Sequence, residues 1–437
     1  MSPDDALDTL LSLPRYAGVD DDSYKPGLAR MTALLDAMDR PHKAFRSLHV
    51  AGTNGKGSVA SMVAAIGTAA GARVGLHTSP HLSHVTERMR VDGAPAPDDW
   101  LAEAVTAHRD AFARIEPSFF EATVALSFRY FADEEVDWAV VEVGLGGRLD
   151  ATNVLHPAVA IITSVDLDHT QLLGETLAEI AREKAGIIKR DVPVLSGATQ
   201  PEAQRVIREV AQDHGAPFHA LDDVSWSIRE TDLSGTVVDL ETPLRRYPAL
   251  QLPFPGRHQH RNAALATRAG ELVLPAVQEA PDPVVDGLRD LRRLSGLRGR
   301  LDVVATRPWI VADVAHNPSG LQATLDTVAP PVAERGGQLY VAFNLSRDKD
   351  LDGILALLAE HDVVVLPMPV AVDRSTPPDE LVRAARKAGL RVRNPRPLED
   401  TLSAFRQQAA PEDLLLVTGS HDLVATVLRQ TTANRSR

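Results

Sequence analysis

The segment GTNGKGS at residues 52–58 constrains the fold of this chain more than any other feature of its sequence. It follows an apolar strand candidate at 47–51 and precedes an alanine-rich helix candidate at 58–71. Glycines at such a junction let backbone N–H groups close around phosphate oxygens at a helix N-terminus. Lys56 can reach terminal phosphates, and the Ser58 hydroxyl is placed to ligate Mg²⁺. A plain glycine-rich turn is the alternative, but the lysine and the hydroxyl favour a phosphate-binding loop.

Strand and helix patterns alternate along most of the chain, which predicts an α/β fold with a mainly parallel sheet covered on both faces. Continuous apolar runs at 138–143 and 159–163 predict buried strands, and 120–131 and 174–189 predict helices. Residues 218–255 change to short alternating pieces, which predict antiparallel strands. Residues 281–300 are rich in proline and arginine and predict a linker. The βα alternation then restarts at 309, which predicts a second, smaller α/β domain.

Length and composition exclude several classes of protein. With 437 residues the chain is long enough for two or three domains. A net charge of −13 argues against general nucleic-acid binding, which requires a basic surface. The absence of cysteine excludes disulfides, thiolate nucleophiles and cysteine-bound metals. The N-terminus has no leader pattern and no apolar run is long enough to span a bilayer, so we expect a cytoplasmic enzyme without a membrane partner.

The run WAVVEVGLGGRLDATN at 138–153 places an acidic residue inside a predicted buried strand. An unpaired carboxylate would be costly to bury there, so Glu142 is expected to have a cationic partner. The GLGG sequence resembles part of a dinucleotide-binding fingerprint. That fingerprint would require glycine at position 149, where the chain has Leu149, so a nicotinamide site is not expected.

Polar residues in two further regions are candidates for chemistry. Asp168 and His169 follow a predicted strand, at the edge where open α/β sheets bind ligands. Lys184 falls on the apolar face of the next helix, and periodicity alone favours snorkelling of its amine to solvent. In the C-terminal region, Asp313 and His316 end a predicted strand. Each of these side chains, taken singly, is also compatible with a structural role.

Nine motifs in order resemble the folylpolyglutamate synthase/dihydrofolate synthase family of the Mur ligase superfamily. The motifs are GTNGKGS, TSPHL (78–82), ERMRVDG (87–93), FFEAT (119–123), VEVGLGGRLDATN, DHTQLLGETLAEIAREKAGIIK, PGRHQHRNAALA, DVAHNP and RDKD. The resemblance runs from KPGLARM near residue 25 to TGSHDLV at 418. It therefore covers almost the whole chain, with only the first 24 residues matching weakly.

The resemblance implies an ATP-dependent ligase with two domains. Residues 1–294 would form an ATPase domain with a P-loop, a mainly parallel sheet and the folate site, and 295–437 a smaller Rossmann-like glutamate-ligase domain. A pteroate or folate carboxylate would attack the γ-phosphate of ATP to give an acyl phosphate, which the amine of L-glutamate would then attack. Such phosphoryl transfer needs positioning and charge neutralisation more than covalent help. The family also implies a monomer.

The resemblance also assigns residues to roles. Nucleotide contacts would come from Gly52, Thr53, Asn54, Gly55, Lys56, Gly57, Ser58, Asn262, Arg300 and Asp313. Two Mg²⁺ ions would be held by Ser58, Glu142, His169 and Lys184, with Lys184 carbamylated. This role replaces snorkelling as the interpretation of Lys184. Lys56, Lys184 and His316 would act in catalysis, and the pterin side would be contacted by Ser79, Pro80, His81, Phe120 and Asp150.

Departures from the family pattern are few, and other functions remain as alternatives. Val314 stands where many members have glycine, and FNLS precedes RDKD in place of a glycine-led segment. A bifunctional dihydrofolate synthase/folylpolyglutamate synthase is expected, and a monofunctional folylpolyglutamate synthase is the first alternative. A cell-wall Mur ligase is disfavoured because about 50 residues before Gly52 are too few for a uridine-nucleotide domain. A P-loop ATPase switch would have no need for Lys184 on a metal.

Overall fold

A computed structural model describes residues 2–14, 27–372 and 374–435. The chain divides into two compact units. Unit 1 comprises Met1–Arg229, Val237–Pro253 and Gln259–Leu297, and unit 2 comprises Glu230–Thr236, Phe254–His258 and Arg298–Arg437. In the described part of the chain, no helix has the length and apolar character needed to cross a membrane.

The strands before residue 253 form two sheets. They are β1 (Arg46–Ala51), β2 (Val74–His77), β3 (Met89–Val91), β4 (Ala94–Pro95), β5 (Trp138–Glu142), β6 (Val159–Ile162), β7 (Val194–Ser196), β8 (Phe218–Ala220), β9 (Ser225–Asp232), β10 (Gly235–Glu241) and β11 (Arg246–Leu252). The larger sheet has the order β4-β3-β2-β5-β1-β6-β7-β8, and the smaller one the order β11-β10-β9. From β2 to β8 all pairings are parallel, whereas β3 pairs antiparallel with both β2 and β4.

Helices cover the larger sheet and continue to residue 295. They are α1 (Pro3–Leu11), α2 (Ala29–Ala37), α3 (Lys56–Ala69), α4 (Asp98–Ala107), α5 (Arg109–Ile115), α6 (Phe119–Asp133), α7 (Thr170–Leu173), α8 (Leu177–Ala185), α9 (Pro201–Asp213), α10 (Arg257–Val273), α11 (Pro275–Glu279), α12 (Asp282–Arg289) and α13 (Leu291–Ser295). Helix α6 begins with a capping box, in which Ser118 and Glu121 satisfy each other's backbone N–H groups. Helix α3 is buried along most of its length, as its small residues allow.

The predicted strands and helices around the phosphate loop are confirmed, and two other expectations are wrong. Strand β8 pairs in parallel with β7 in the larger sheet, so residues 218–220 do not belong to an antiparallel segment. Residues 281–300 do not form a linker, because they contain α12 and α13. Val284, Leu288 and Leu291 are fully buried there, and both helices pack on α3. The apolar residues of these helices have helical spacing, but the prolines and arginines between them hide that pattern in the sequence.

Unit 2 is a smaller α/β unit. Its strands are β12 (Asp302–Thr306), β13 (Trp309–Ala312), β14 (Leu339–Phe343), β15 (Val363–Pro367), β16 (Arg391–Val392) and β17 (Leu414–Thr418). Its helices are α14 (Pro318–Glu334), α15 (Leu351–Ala359), α16 (Pro378–Lys387), α17 (Leu398–Gln408) and α18 (His421–Arg435). The sheet order is β12-β13-β17-β14-β15-β16, and every pair except β12/β13 is parallel. Apolar side chains of β13, β14 and β17 form its core.

Candidate functional site

The phosphate loop follows β1, a central strand of the larger sheet, and is held by the segment that follows β6. A Cβ on Gly52 would lie 1.9 Å from the Thr163 hydroxyl, so only glycine fits at this position. Thr163 Oγ1 donates to the Asn54 carbonyl (2.6 Å), and the Asn54 N–H donates to Ser164 Oγ (3.0 Å). Thr163 and Ser164 were not predicted from the sequence, because their contacts lie about 110 residues away in the chain.

Lys56 begins α3 and folds back over the loop. Its Nζ donates to the carbonyls of Gly52 (3.0 Å) and Thr53 (3.1 Å), which keeps the ammonium group beside the loop backbone. Gly57 and Ser58 follow in the first turn of α3, and Ser58 is 1% exposed. The helix N-terminus and the ammonium group together favour a bound anion at this position.

Asn262 lies directly against the phosphate loop. Gly55 has φ +82°, and a Cβ there would come within 2.6 Å of Asn262 Oδ1. The Asn262 amide donates to Gln259 Oε1 (3.1 Å) one turn earlier on α10. The structure therefore brings Asn262, a predicted nucleotide contact, next to the predicted contacts of the phosphate loop, although they are about 200 residues apart in sequence.

Glu142 ends β5 and is bonded to the loop that follows β2. The register pairs Glu142 with Val50 of β1, and Val141 with His77 of β2, so the carboxyl ends of these three strands lie side by side. The Ser79 N–H donates to Glu142 Oε2 (2.9 Å), and Glu142 is 4% exposed. Ser79 and Pro80, predicted on the pterin side, thus lie beside a predicted metal ligand.

His81 and Phe120 lie close to the same strand ends. Phe120 packs edge-on against His77 (6.3 Å between ring centroids) and occupies the space that a side chain at Gly144 would fill. His81 Nδ1 accepts a hydrogen bond from Arg88 Nε (2.9 Å), which makes Arg88 a supporting residue that was not predicted. The only sequence signal for Arg88 was its place in the ERMRVDG motif.

Asp150 is buried, with its carboxylate surrounded by donors. Its Oδ2 accepts from the Leu145 N–H (2.9 Å), and its Oδ1 accepts from the N–H (3.0 Å) and the hydroxyl of Thr152. Burial raises the pKa of the Asp150 carboxyl, while these hydrogen bonds oppose the rise. Asp150 therefore fixes the GLGG segment to the short 3₁₀ helix at Ala151–Val154.

Lys184 is buried, so the snorkelling interpretation from periodicity was wrong. It is 3% exposed, and burial together with the charge of Lys56 lowers its pKa to about 7. Asp168 and Asp166 are charged neighbours that oppose this shift. His169 follows Asp168 and has a left-handed backbone with φ +50° at the start of α7. A buried amine with a lowered pKa is neutral more often than an exposed lysine and is more nucleophilic.

The donor atoms of Ser58, Glu142 and Lys184 differ in how well their chemistry suits Mg²⁺. No group of three or more His, Asp or Glu side chains in the described ranges is arranged to hold a metal ion. The Ser58 hydroxyl and the Glu142 carboxylate are the oxygen donors that Mg²⁺ prefers. An unmodified Lys184 amine is not such a donor, whereas a carbamate would supply an anionic oxygen. By their chemistry the Ser58 and Glu142 oxygens therefore suit Mg²⁺, and Lys184 would do so only as a carbamate.

In unit 2, Asp313 organises the turn that follows β13. Its Oδ2 accepts from the Leu301 N–H (2.8 Å), and its Oδ1 accepts from the Ala315 N–H (2.9 Å) and from Thr324 Oγ1 (3.1 Å). Arg300 donates to the Gly299 carbonyl (3.2 Å). His258 is a charge neighbour of both Arg300 and Asp313, and burial lowers its pKa. His258 was not predicted from the sequence.

His316 lies beside His421 of the TGSHDLV segment, which was not predicted as a site residue. The two rings are 5.6 Å apart between centroids, and His316 Nδ1 is 2.9 Å from the Val314 carbonyl. That contact makes Nδ1 the protonated nitrogen and leaves Nε2 as the acceptor. The pairing of β13 with β17 brings the DVAHNP and TGSHDLV segments together, and Gly419 N–H donates to the Ala315 carbonyl (2.9 Å).

Comparison with known proteins gives matches over both units. Residues 50–270 match the Mur ligase middle domain, and residues 299–421 match the Mur ligase, glutamate ligase domain. The chain is 37% identical over 343 residues to the dihydrofolate synthase/folylpolyglutamate synthase of Bacillus subtilis, covering 76% of this chain and 79% of the relative. It is 33% identical over 443 residues to the folylpolyglutamate synthase of Lacticaseibacillus casei, covering 96% of each chain.

Solved structures match along the whole chain. Mycobacterium tuberculosis folylpolyglutamate synthase complexed with ADP has a TM-score of 0.85 and 32% identity, covering 98% of each chain. Escherichia coli FolC in complex with DHPP and ADP has a TM-score of 0.85 and 28% identity, covering 100% of this chain and 99% of that chain.

Proposed function

Because the chain belongs to the folylpolyglutamate synthase/dihydrofolate synthase family of the Mur ligase superfamily, we propose that it joins a pteroate or folate carboxylate to L-glutamate. It is an ATP-dependent acid–amino-acid ligase. One observation carries the proposal: the phosphate loop follows β1 and the Ser79 loop follows β2, the two strands that pair with β5 on either side, and Glu142 ends β5 between them. A nucleotide and an acceptor bound to these two loops would be close enough to react.

The reaction proceeds in two steps. An oxygen of the substrate carboxylate attacks the γ-phosphorus of ATP, the bond to ADP breaks, and an acyl phosphate forms. Lys56 neutralises charge on the transferred group, after exchanging its contacts with the Gly52 and Thr53 carbonyls for phosphate oxygens. The amine of glutamate then attacks the acyl carbon and inorganic phosphate leaves. His316, with Nε2 as an acceptor, can take the proton that the amine loses.

Ser58, Glu142, His169 and carbamylated Lys184 are the residues proposed to hold two Mg²⁺ ions. Bound Mg²⁺ supplies charge neutralisation at the ATP phosphates. Burial prepares Lys184 for carbamylation, because the neutral amine is the form that attacks CO₂. Asn262, Arg300 and Asp313 are proposed nucleotide contacts, and the Ser79–His81 loop, Phe120 and Asp150 are proposed for the pterin side. The cytoplasmic location and the monomeric state remain predictions.

A substrate panel tests this function. The purified protein is incubated with MgATP and L-glutamate, together with dihydropteroate, a tetrahydrofolate or a UDP-muramyl peptide. Turnover with both pterins, measured as phosphate release and incorporation of labelled glutamate, supports a bifunctional enzyme. Turnover with tetrahydrofolate alone indicates the monofunctional alternative. Glutamate-independent phosphate release, or turnover only with the muramyl peptide, contradicts the assignment.

Lys56→Ala is the reference variant for this panel, because it removes the ammonium group at the phosphate loop. We expect it to abolish phosphate release while the unfolding midpoint stays close to that of the wild type. Lys387→Ala, at an exposed position on α16, is the matched control and is expected to keep full activity.

A further inference from the structure

A buried histidine lies beneath the proposed pterin side of the site. His49 is 0% exposed in β1, and its Cα partner in the sheet is Val141 of β5. On the other side of β5, Val141 is paired with His77 of β2. His49, Val141 and His77 therefore lie side by side across three adjacent strands. His77 Nδ1 is 2.8 Å from Ser127 Oγ, and its ring packs against Phe120.

His49 is connected to Asp150 through one hydroxyl. His49 Nε2 is 2.8 Å from Thr152 Oγ1, and Thr152 Oγ1 is 2.5 Å from Asp150 Oδ1. Thr152 is 0% exposed, and Asp150 is 8% exposed. The connection joins His49 in β1 to residues of the VEVGLGGRLDATN motif that lie about 100 positions further along the chain.

The protons in this connection can be assigned. Backbone N–H groups point at both oxygens of Asp150, an arrangement that suits the ionised carboxylate. The single hydroxyl proton of Thr152 then goes to Asp150, so Thr152 accepts from Nε2–H of His49. His49 Nδ1 is consequently unprotonated. This nitrogen has no hydrogen-bond partner among the described residues, which agrees with a nitrogen that has no proton to donate. Burial lowers the pKa of His49 to about 3, so the ring stays neutral.

We propose that His49 is a positioning residue for folate binding: through the Thr152 hydroxyl it holds the Asp150 carboxylate and, with it, the GLGG segment. His49 is fully buried and cannot touch the substrate, so its effect must pass through Thr152. This inference rests on the proposed function, because the role it assigns is to support the pterin side. Asp150 in turn holds Leu145, next to the Gly144 position that accommodates Phe120.

The test compares isosteric variants by steady-state kinetics. Thr152→Val removes the hydroxyl and keeps the shape, Thr152→Ser keeps the hydroxyl, and His49→Gln keeps a donor near the position of Nε2. Thr242→Val is the matched control, because it removes another buried hydroxyl that donates to a carboxylate, here Glu271 (2.6 Å). The KM for the pterin substrate, the KM for ATP, kcat and the urea midpoint are measured for each.

We expect Thr152→Val to raise the KM for the pterin substrate about five- to tenfold, the change that corresponds to losing one ordinary hydrogen bond. Its KM for ATP should stay within about twofold of the wild type, as a local effect requires. Thr152→Ser, which keeps the hydroxyl, and His49→Gln, which keeps a donor, should each keep most of the pterin affinity of the wild type. Thr242→Val should lower the urea midpoint without changing the KM for the pterin.

An unchanged KM for the pterin in Thr152→Val overturns the inference, and so does an equal rise in Thr242→Val, which would indicate only a general loss of stability. Equal rises of both KM values in Thr152→Val overturn it as well. Failure of the proposed function is distinguishable, because in that case the wild type itself shows no pterin-dependent turnover. The inference is then refuted together with the function on which it rests.

Discussion

Gly55 couples the phosphate loop to Asn262, one of the proposed nucleotide contacts. Its left-handed backbone disfavours any side chain, and a Cβ would also collide with Asn262 Oδ1. We expect Gly55→Ala to raise the KM for ATP about tenfold or more, because Asn262 and the loop must both shift. Gly71→Ala is the control, since Gly71 has nearly the same φ (+85°) and nothing within 4 Å. An equal effect of both substitutions would show that strain alone is responsible.

Lys184 provides a second prediction at the scale of one residue. Its amine is buried, so removing it by Lys184→Ala deletes the proposed carbamate. We expect activity to fall about 100-fold or more, as for loss of a metal ligand, and to recover partly with added acetate or propionate. Lys189→Ala is the control, because it removes a half-buried amine that donates to the Asn153 carbonyl (3.0 Å). Added acetate or propionate should not increase the activity of this variant. Recovery in both variants, or in neither, would argue against the carbamate.

At the scale of elements, α12 supports the helix that carries the phosphate loop. A Cβ on Gly287 would lie 2.7 Å from the Ile66 Cα and 2.9 Å from the Ala65 carbonyl, both backbone atoms of α3. We therefore expect Gly287→Ala to lower the free energy of unfolding by about 1–3 kcal/mol, the cost of overpacking. Urea denaturation measures it.

The control for this prediction is Gly270→Ala on α10. Its Cβ would make ordinary contacts at 3.5–3.7 Å, so the gain in helix propensity should raise stability by up to about 1 kcal/mol. If both alanines stabilise the protein, the close approach of α12 to α3 is contradicted.

At the scale of the whole molecule, two buried histidines make stability depend on pH. Burial lowers the pKa of both His49 and His77 from 6.5 to about 3. The unfolded chain therefore takes up protons below pH 6.5 that the folded protein does not, and stability falls as the pH drops towards 3. At pH 5 each histidine should cost about 2 kcal/mol relative to pH 7.

The measurement is the urea midpoint between pH 7 and pH 5. His49→Gln and His77→Gln should each flatten this dependence, since an amide does not titrate there. His156→Gln, at an exposed position, should leave it unchanged. Parallel curves for the wild type and both buried-site variants would show that these histidines are not the cause.

Local sequence determined the phosphate loop and the strands around it. Three glycines, a lysine and a serine hydroxyl between an apolar strand and a helix have few other physical uses, and buried parallel strands appear as continuous apolar runs. The same local signals misled where the pattern was short or mixed. The prolines and arginines of residues 281–300 predict a linker where α12 and α13 form, and periodicity predicts a solvent-exposed amine for Lys184, which is buried.

Only the tertiary structure decided which distant side chains meet. Thr163 donates a hydrogen bond to the phosphate loop, Asn262 lies against Gly55, and Thr152 connects His49 to Asp150. In each case the contact joins residues that are about 100–200 positions apart in the chain. Periodicity reports which face of an element is buried, but it carries no information on what covers that face. Strand order and register supply that information, because they place the carboxyl ends of β1, β2, β5 and β6 at one edge of the sheet.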